Sequence, residues 1–188
     1  MNPAKFFTES VRNLKTVGTI TRSSRFVCRK MISPIDFSKS LNIVELGAGD
    51  GVITRHILNS MSADSQLFTF EVNDVFIEKL KQINDPRLHV IHDSAENMEK
   101  YLSEGKVEKA DHIISAIPFV MLPDDLTETI LNKAFSMLKT GGVFVQIHYS
   151  LVLKKLYERI FGNVKVGFVF FNIPPAFILV SRKDIKAA

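Results

Sequence analysis

The segment Ile43-Val44-Glu45-Leu46-Gly47-Ala48-Gly49-Asp50-Gly51 restricts the fold of this chain more than any other. A short apolar run leads into three glycines at alternate positions, and a helical pattern over Val52–Met61 follows. This is the signature of a strand that turns sharply into a helix, because glycine lets the backbone adopt conformations closed to other residues. The same alternation continues downstream. Strands are predicted at Asn42–Leu46, Gln66–Val72, Leu88–His92, His112–Ile117 and Val143–Tyr149. Helices are predicted at Val52–Met61, Val75–Ile83, Ala95–Leu102, Asp124–Leu138 and Leu151–Phe161. In the clearest of these, Leu126, Ile130, Leu131, Ala134, Phe135 and Leu138 keep helical spacing. Asp124 is placed as its cap and Gly141-Gly142 as its stop. Strand–helix alternation implies a parallel sheet with helices on both faces. The chain ends differently, with β-rich runs at Val164–Asn172 and Ala176–Arg182 joined by Ile173-Pro174-Pro175, which predicts a terminal antiparallel hairpin.

A length of 188 residues suits one such domain. We divide it into an N-terminal helical segment, residues 1–35, and a catalytic domain, residues 36–188. Residues 4–31 read as helical, broken near Thr21-Arg22-Ser23-Ser24. The apolar stretch Val166–Val180 is interrupted by Asn172, Pro174 and Pro175, so a bilayer-spanning helix is not expected there. Nor is a secretory signal, since no N-terminal run has the required order of basic, apolar and small residues. Cys28 is the single cysteine, which excludes an internal disulfide and fits a reducing compartment. Residues 1–30 carry Lys5, Arg12, Lys15, Arg22, Arg25, Arg29 and Lys30 against Glu9 alone, whereas the rest of the chain carries 17 basic and 19 acidic residues. The excess positive charge therefore belongs to the N-terminal segment, where it would attract phosphates of a membrane or of RNA.

A ligand at the glycine turn would sit outside the carboxyl end of the first strand, at the switch point of an open α/β sheet. Glu45 favours a ligand carrying positive charge there. S-adenosylmethionine (SAM) carries an ammonium and a sulfonium, whereas a dinucleotide presents a pyrophosphate. The glycines fall as G-x-G-x-G rather than the G-x-G-x-x-G of dinucleotide folds. Gly47, Ala48, Gly49 and Gly51 are thus assigned to SAM, with Glu45 beside its charged tail. Glu71, 20 residues after Gly51 and with Val72 next to it, is placed to reach the ribose hydroxyls. Asp93 can accept from the adenine amino group while the backbone of Ser94 and Ala95 meets the ring. Plainer roles are open to each: a purely structural turn, a solvated strand-end charge at Glu71, and a helix N-cap at Asp93.

Ser115-Ala116-Ile117-Pro118-Phe119 ends the fourth strand on the side where a methyl acceptor would approach. Backbone carbonyls and a proline-fixed turn can hold an amine. Phe119 can pack on it, or can be ordinary core. His148 and Tyr149 end the fifth strand, and strand alternation sends them to opposite faces. Tyr149 is the favoured amine-positioning residue, through its hydroxyl or ring. His148 is the weaker candidate, as a general base. No metal is implied.

Over residues 40–183 these features resemble the class I SAM-dependent methyltransferases. The resemblance implies a Rossmann-like three-layer sandwich, with a seven-stranded, mostly parallel sheet ending in an antiparallel hairpin. Within that group the chain is similar to bacterial phospholipid N-methyltransferases, whose core also resembles rRNA adenine dimethylases. Three places carry this: Val11–Gly18 with Ser23-Ser24-Arg25-Phe26, Ser115–Phe119, and Asn172-Ile173-Pro174-Pro175-Ala176. It implies N-methylation of phosphatidylethanolamine or a related aminolipid by a monomer, cytoplasmic and peripheral at the inner membrane face. The N-terminal helix would contact anionic lipid, or pack as a lid over the SAM site. Adenine dimethylases use an Asn-x-Pro-aromatic motif, and Ala116 stands at that asparagine position, where it supplies no amide acceptor. Nor is a separate RNA-reading domain expected from these residues. RNA or small-molecule methylation remains the alternative, and a non-catalytic SAM-binding module the third reading.

Overall fold

The computed structural model describes residues 23–184. The helix expected before Ser23 lies outside that range. Ser24 accepts the backbone N–H of Val27 at 3.3 Å and so caps the first described helix, α1 (Arg25–Ile32). The core then alternates as expected: β1 (Asn42–Leu46), α2 (Val52–Ser60), β2 (Gln66–Glu71), α3 (Asp74–Leu80), β3 (Leu88–His92), α4 (Met98–Glu104), β4 (Ala110–Ser115), α5 (Asp124–Met137), β5 (Leu138–His148), α6 (Lys154–Phe161), β6 (Lys165–Val169) and β7 (Ala176–Arg182). Short 3-10 turns occupy Ala95–Asn97 and Phe119–Met121.

Seven strands form one sheet in the order β3-β2-β1-β4-β5-β7-β6. Pairing is parallel from β3 to β5, whereas β7 runs antiparallel to both β5 and β6. The order reverses between β1 and β4, which opens a crevice at the carboxyl ends of those strands. One face is covered by α4, α5 and α6, through residues such as Met98, Leu131 and Tyr157 around Phe70 and Phe144. On the other face, Val27 and Met31 of α1 and Ile53 and Ile57 of α2 pack on Ile43, Val145 and Ile178. Strand alternation explains the division, since Val44 and Leu46 enter the first cluster and Ile43 the second. Each such side chain removed from water contributes about 1.5–3 kcal/mol. Among the described residues, no helix is long and apolar enough to cross a membrane.

Three local expectations need correcting. Gly141 and Gly142 lie inside β5 and do not stop α5. A side chain on Gly142 would meet the carbonyl oxygen of Asp111 at 2.4 Å, so close strand packing requires glycine there. Asp124 is not the cap of α5. Pro123 holds that position, and Asp124 with Asp125 fills the first turn, where the helix dipole favours negative charge. Finally, β4 stops at Ser115, so Ala116 and Ile117 belong to the loop that follows.

Candidate active site

The loop after β1 is shaped by backbone contacts across the crevice. Gly47, Gly49 and Gly51 all have positive φ, at 73°, 57° and 81°. The Gly47 N–H bonds to the Phe70 carbonyl of β2 at 2.8 Å. A Cβ on Gly47 would lie 2.9 Å from Ile117 Cγ1 and 3.1 Å from the Ile117 nitrogen, so the two loops touch backbone to backbone only because position 47 is bare. Gly51 begins α2.

Glu71 closes the loop from the next strand. Its Oε2 accepts the Gly49 N–H at 2.8 Å, and its Oε1 accepts the Val72 and Asn73 N–H groups at 2.8 and 2.9 Å. Burial raises its pKa, and those three backbone donors oppose the rise. A carboxylate has about four lone-pair sites, so one acceptor position is left over.

Glu45 is completely buried at the end of β1. Its Oε2 accepts the Thr54 and Thr69 hydroxyls at 2.7 and 2.9 Å, while its Oε1 has no hydrogen-bond partner among the described residues. Burial pushes its pKa up to about 7; the two threonine hydroxyls pull the other way, and the Glu71 charge adds to the rise. The result is a carboxylate that gains much from a nearby cation.

A cleft opens beside this loop. Gly47, Glu71, Val72, Asp93, Ser94 and Ala95 line it, together with Phe70, Ile117, Leu122, Leu126 and Ile130. Glu45, Ala48, Gly49, Gly51 and Ser115 are not on that lining. At Asp93, burial works against the charge, but hydrogen bonds from Asn97, Tyr101 and the Ser94 N–H win and hold the pKa below the usual carboxylate range. The Tyr101 hydroxyl donates to Asp93 Oδ2 at 2.8 Å. The cleft lining thus combines two carboxylates with the apolar side chains of Ile117, Leu122, Leu126 and Ile130.

The acceptor-side residues are distributed unevenly. Ser115 is buried, and its Oγ accepts the Ile117 N–H at 3.3 Å. Phe119 is buried within the α4–α6 core. His148 is buried too, with Nε2 2.9 Å from the Tyr157 hydroxyl, and burial lowers its pKa to about 4. Tyr149, expected as the last residue of the fifth strand, instead lies just past the end of β5, and it is 45% exposed. Burial raises its pKa, and a hydrogen bond with the Asn172 side chain opposes this.

Several residues here had no separate signal in the sequence. Gln146 Nε2 donates to the carbonyls of Ile117 and Ile147 at 2.9 and 2.7 Å, which ties the turn after β4 to β5. Asn172 Oδ1 accepts the Ser24 N–H at 3.0 Å, and its Nδ2 donates to the Pro174 carbonyl at 2.7 Å. Only the Asn172-Ile173-Pro174-Pro175-Ala176 motif hinted at this junction. Among the described residues, no group of His, Cys, Asp or Glu is gathered to hold a metal ion.

Comparison with known proteins agrees with this geometry. Residues 43–142 match the profile of a methyltransferase domain. The ornithine lipid N-methyltransferase of Singulisphaera acidiphila is 26% identical over 163 residues, spanning 85% of each chain. Among solved structures, the magnesium protoporphyrin IX methyltransferase of Synechocystis, with bound SAM, superposes with a TM-score of 0.69 at 7% identity, covering 98% of both chains. A 16S rRNA methyltransferase of T. thermophilus, in complex with AdoMet and guanosine, gives a TM-score of 0.59 at 16% identity, covering 97% of this chain and 43% of that one. The fold is therefore that of methyltransferases whose acceptors differ widely.

Proposed function

Because this chain belongs to the methyltransferase domain family, we propose that it methylates the amine of phosphatidylethanolamine or a related aminolipid. The observation that carries the lipid acceptor is the similarity to the ornithine lipid N-methyltransferase along 85% of both chains. SAM, the donor, supplies a methyl group already activated on a sulfonium. The residues present fit it. A bare glycine turn leaves backbone exposed where a ligand must come close, and Glu45 keeps one buried oxygen without a partner.

In this reading Gly47, Ala48, Gly49 and Gly51 cradle the amino-acid end of the donor, and Glu45 offsets its positive charge. Glu71 offers its remaining acceptor position to a ribose hydroxyl, with Val72 packed alongside. Asp93, held ionised, accepts from the adenine amino group, while Ser94 and Ala95 meet the ring edge and Leu122 and Leu126 its face.

With the methyl group already activated, the protein's main task is placement of a neutral amine in line with it. Tyr149 fits that task, since among the four candidate acceptor residues it alone is exposed. Ser115 holds the turn after β4, and Phe119 anchors that turn in the core. His148, with its pKa lowered to about 4 and its Nε2 at the Tyr157 hydroxyl, is too weak a base to deprotonate an ammonium. The amine therefore loses its proton to water, and Tyr149 orients the lone pair.

Methyl-labelled SAM offered with total lipid, tRNA and rRNA tests this reading. Label is expected in chloroform-extractable material. Label in RNA, or none in lipid, overturns it.

A further inference from the structure

We infer that the β6–β7 hairpin tip, together with the exposed face of α1, is a docking surface for an anionic membrane. This rests on the lipid-amine reading of the acceptor and adds where the protein meets its bilayer.

The tip exposes aromatic rings that a folded chain would otherwise hide. Phe168, Phe170 and Phe171 are 54%, 70% and 69% exposed, and Phe26 of α1 is 40% exposed. Phe26, Phe170 and Phe171 are contiguous: the Phe26 and Phe171 rings are 5.4 Å apart, and the Phe170 and Phe171 rings 5.7 Å apart, whereas Phe168 packs on Phe177 on the other face of the sheet. Such a patch marks an interaction surface. It is also held in place. The Ser24 hydroxyl donates to the Phe171 carbonyl at 2.8 Å, and Asn172 accepts the Ser24 N–H, so α1 and the tip form one platform.

The charge around the patch selects the occupant. Arg25, Phe26, Arg29 and Lys30 are all exposed and share one helix face by their spacing. The Arg25 guanidinium sits 5.0 Å from the Phe26 ring centre. Lys30 lies against Gly167 of β6, and Lys165 is exposed on the same strand. No carboxylate occurs in residues 23–32 or 163–177. Aromatic rings flanked by unopposed cations match a headgroup boundary with anionic lipid, where rings enter the interface and cations meet phosphates.

Placement links the surface to the candidate site. In the antiparallel register Phe177 faces His148, so the hairpin tip projects past the carboxyl end of β5. Asn172 in the tip is close enough to the Tyr149 hydroxyl to oppose the rise in its pKa. A bilayer resting on the platform would present its headgroup amines at Tyr149.

Sedimentation with phosphatidylcholine vesicles, with and without phosphatidylglycerol, tests the docking surface. The full chain should co-sediment with the anionic vesicles, and F170S/F171S should lose at least about tenfold in partition. R25Q/R29Q/K30Q should lose the preference for phosphatidylglycerol. Methyl transfer to a lipid amine in detergent micelles should be the same in F170S/F171S as in the unaltered chain. That micelle assay reports on the lipid-amine function separately, because no transfer there refutes the function whatever the vesicles show. Equal vesicle binding by F170S/F171S, or none by the unaltered chain, overturns the docking surface. So does a lipid-free dimer that F170S/F171S dissociates, which would assign the patch to a second copy.

Discussion

The Glu71 carboxylate accepts the backbone N–H of Gly49 at 2.8 Å, so the residue that ends β2 fixes the loop that follows β1. Three N–H groups converge on that carboxylate, and bonds of this kind to a charged acceptor are each worth about 1.5–3 kcal/mol. E71A should therefore weaken S-adenosylhomocysteine binding by at least about tenfold. E71Q, which retains one acceptor oxygen, should fall between. Calorimetric titration measures both, and an unchanged affinity in E71A would remove Glu71 from the site.

The glycines of the loop are not equivalent. A methyl at Gly49 meets nothing within 4 Å, so G49A bears only the strain of positive φ, about 1 kcal/mol. At Gly47 the same strain adds to a clash with Ile117, and G47A should cost at least about 2 kcal/mol. Urea unfolding of the two variants compares them. Equal losses would mean that the approach of the 47 and 117 loops is not tight.

Glu45 makes a prediction about pH. Its folded pKa, about 7, stands above the ordinary 4.5, so the folded protein holds this proton more tightly than the unfolded chain does. The stabilisation is complete below pH 4.5 and is lost as pH rises to 7. A shift of that size corresponds to about 3 kcal/mol. The ligand-free protein should lose stability over this window, and E45Q should show a flatter slope. SAM affinity should move the opposite way, rising between pH 6 and pH 8, since a cation prefers the ionised carboxylate; E45Q should bind weakly throughout. Matched slopes in the two proteins would show that Glu45 does not titrate there.

Tyr149 separates acceptor placement from donor binding. Y149F and Y149A should reduce turnover on lipid amine, the alanine variant by about tenfold or more, while the affinity for SAM stays near normal. His148 predicts the absence of an effect: with its pKa lowered to about 4, the rate profile should show no histidine limb between pH 5.5 and pH 8. Full turnover in Y149A would sink the placement role.

Local chemistry explains what could be read in advance. The turn at Gly47–Gly51 is written in consecutive residues, whereas the end of β5 between buried His148 and exposed Tyr149 was not. Helix α5 was visible because Leu126, Ile130, Leu131 and Ala134 repeat with its period. What escaped depends on partners that only the folded chain brings together. Tyr101 reaches Asp93 only because α4 folds back over β3, and Gln146 reads as one more strand residue until Ile117 is beside it. Gly141-Gly142 look like a helix stop because Asp111, the residue that forbids a side chain at Gly142, comes from another strand. The extent of the Phe26–Phe171 patch likewise needs two segments 145 positions apart to meet.

The reversal of β7 against β5 has one more consequence. A last strand running the other way returns the chain's final turn to the rim that already carries the glycine loop. In the proposed reading, donor and acceptor recognition then share a rim yet come from opposite ends of the sequence. In that reading the second can diverge by substitution in a short turn, without disturbing the half of the sheet that would grip the first.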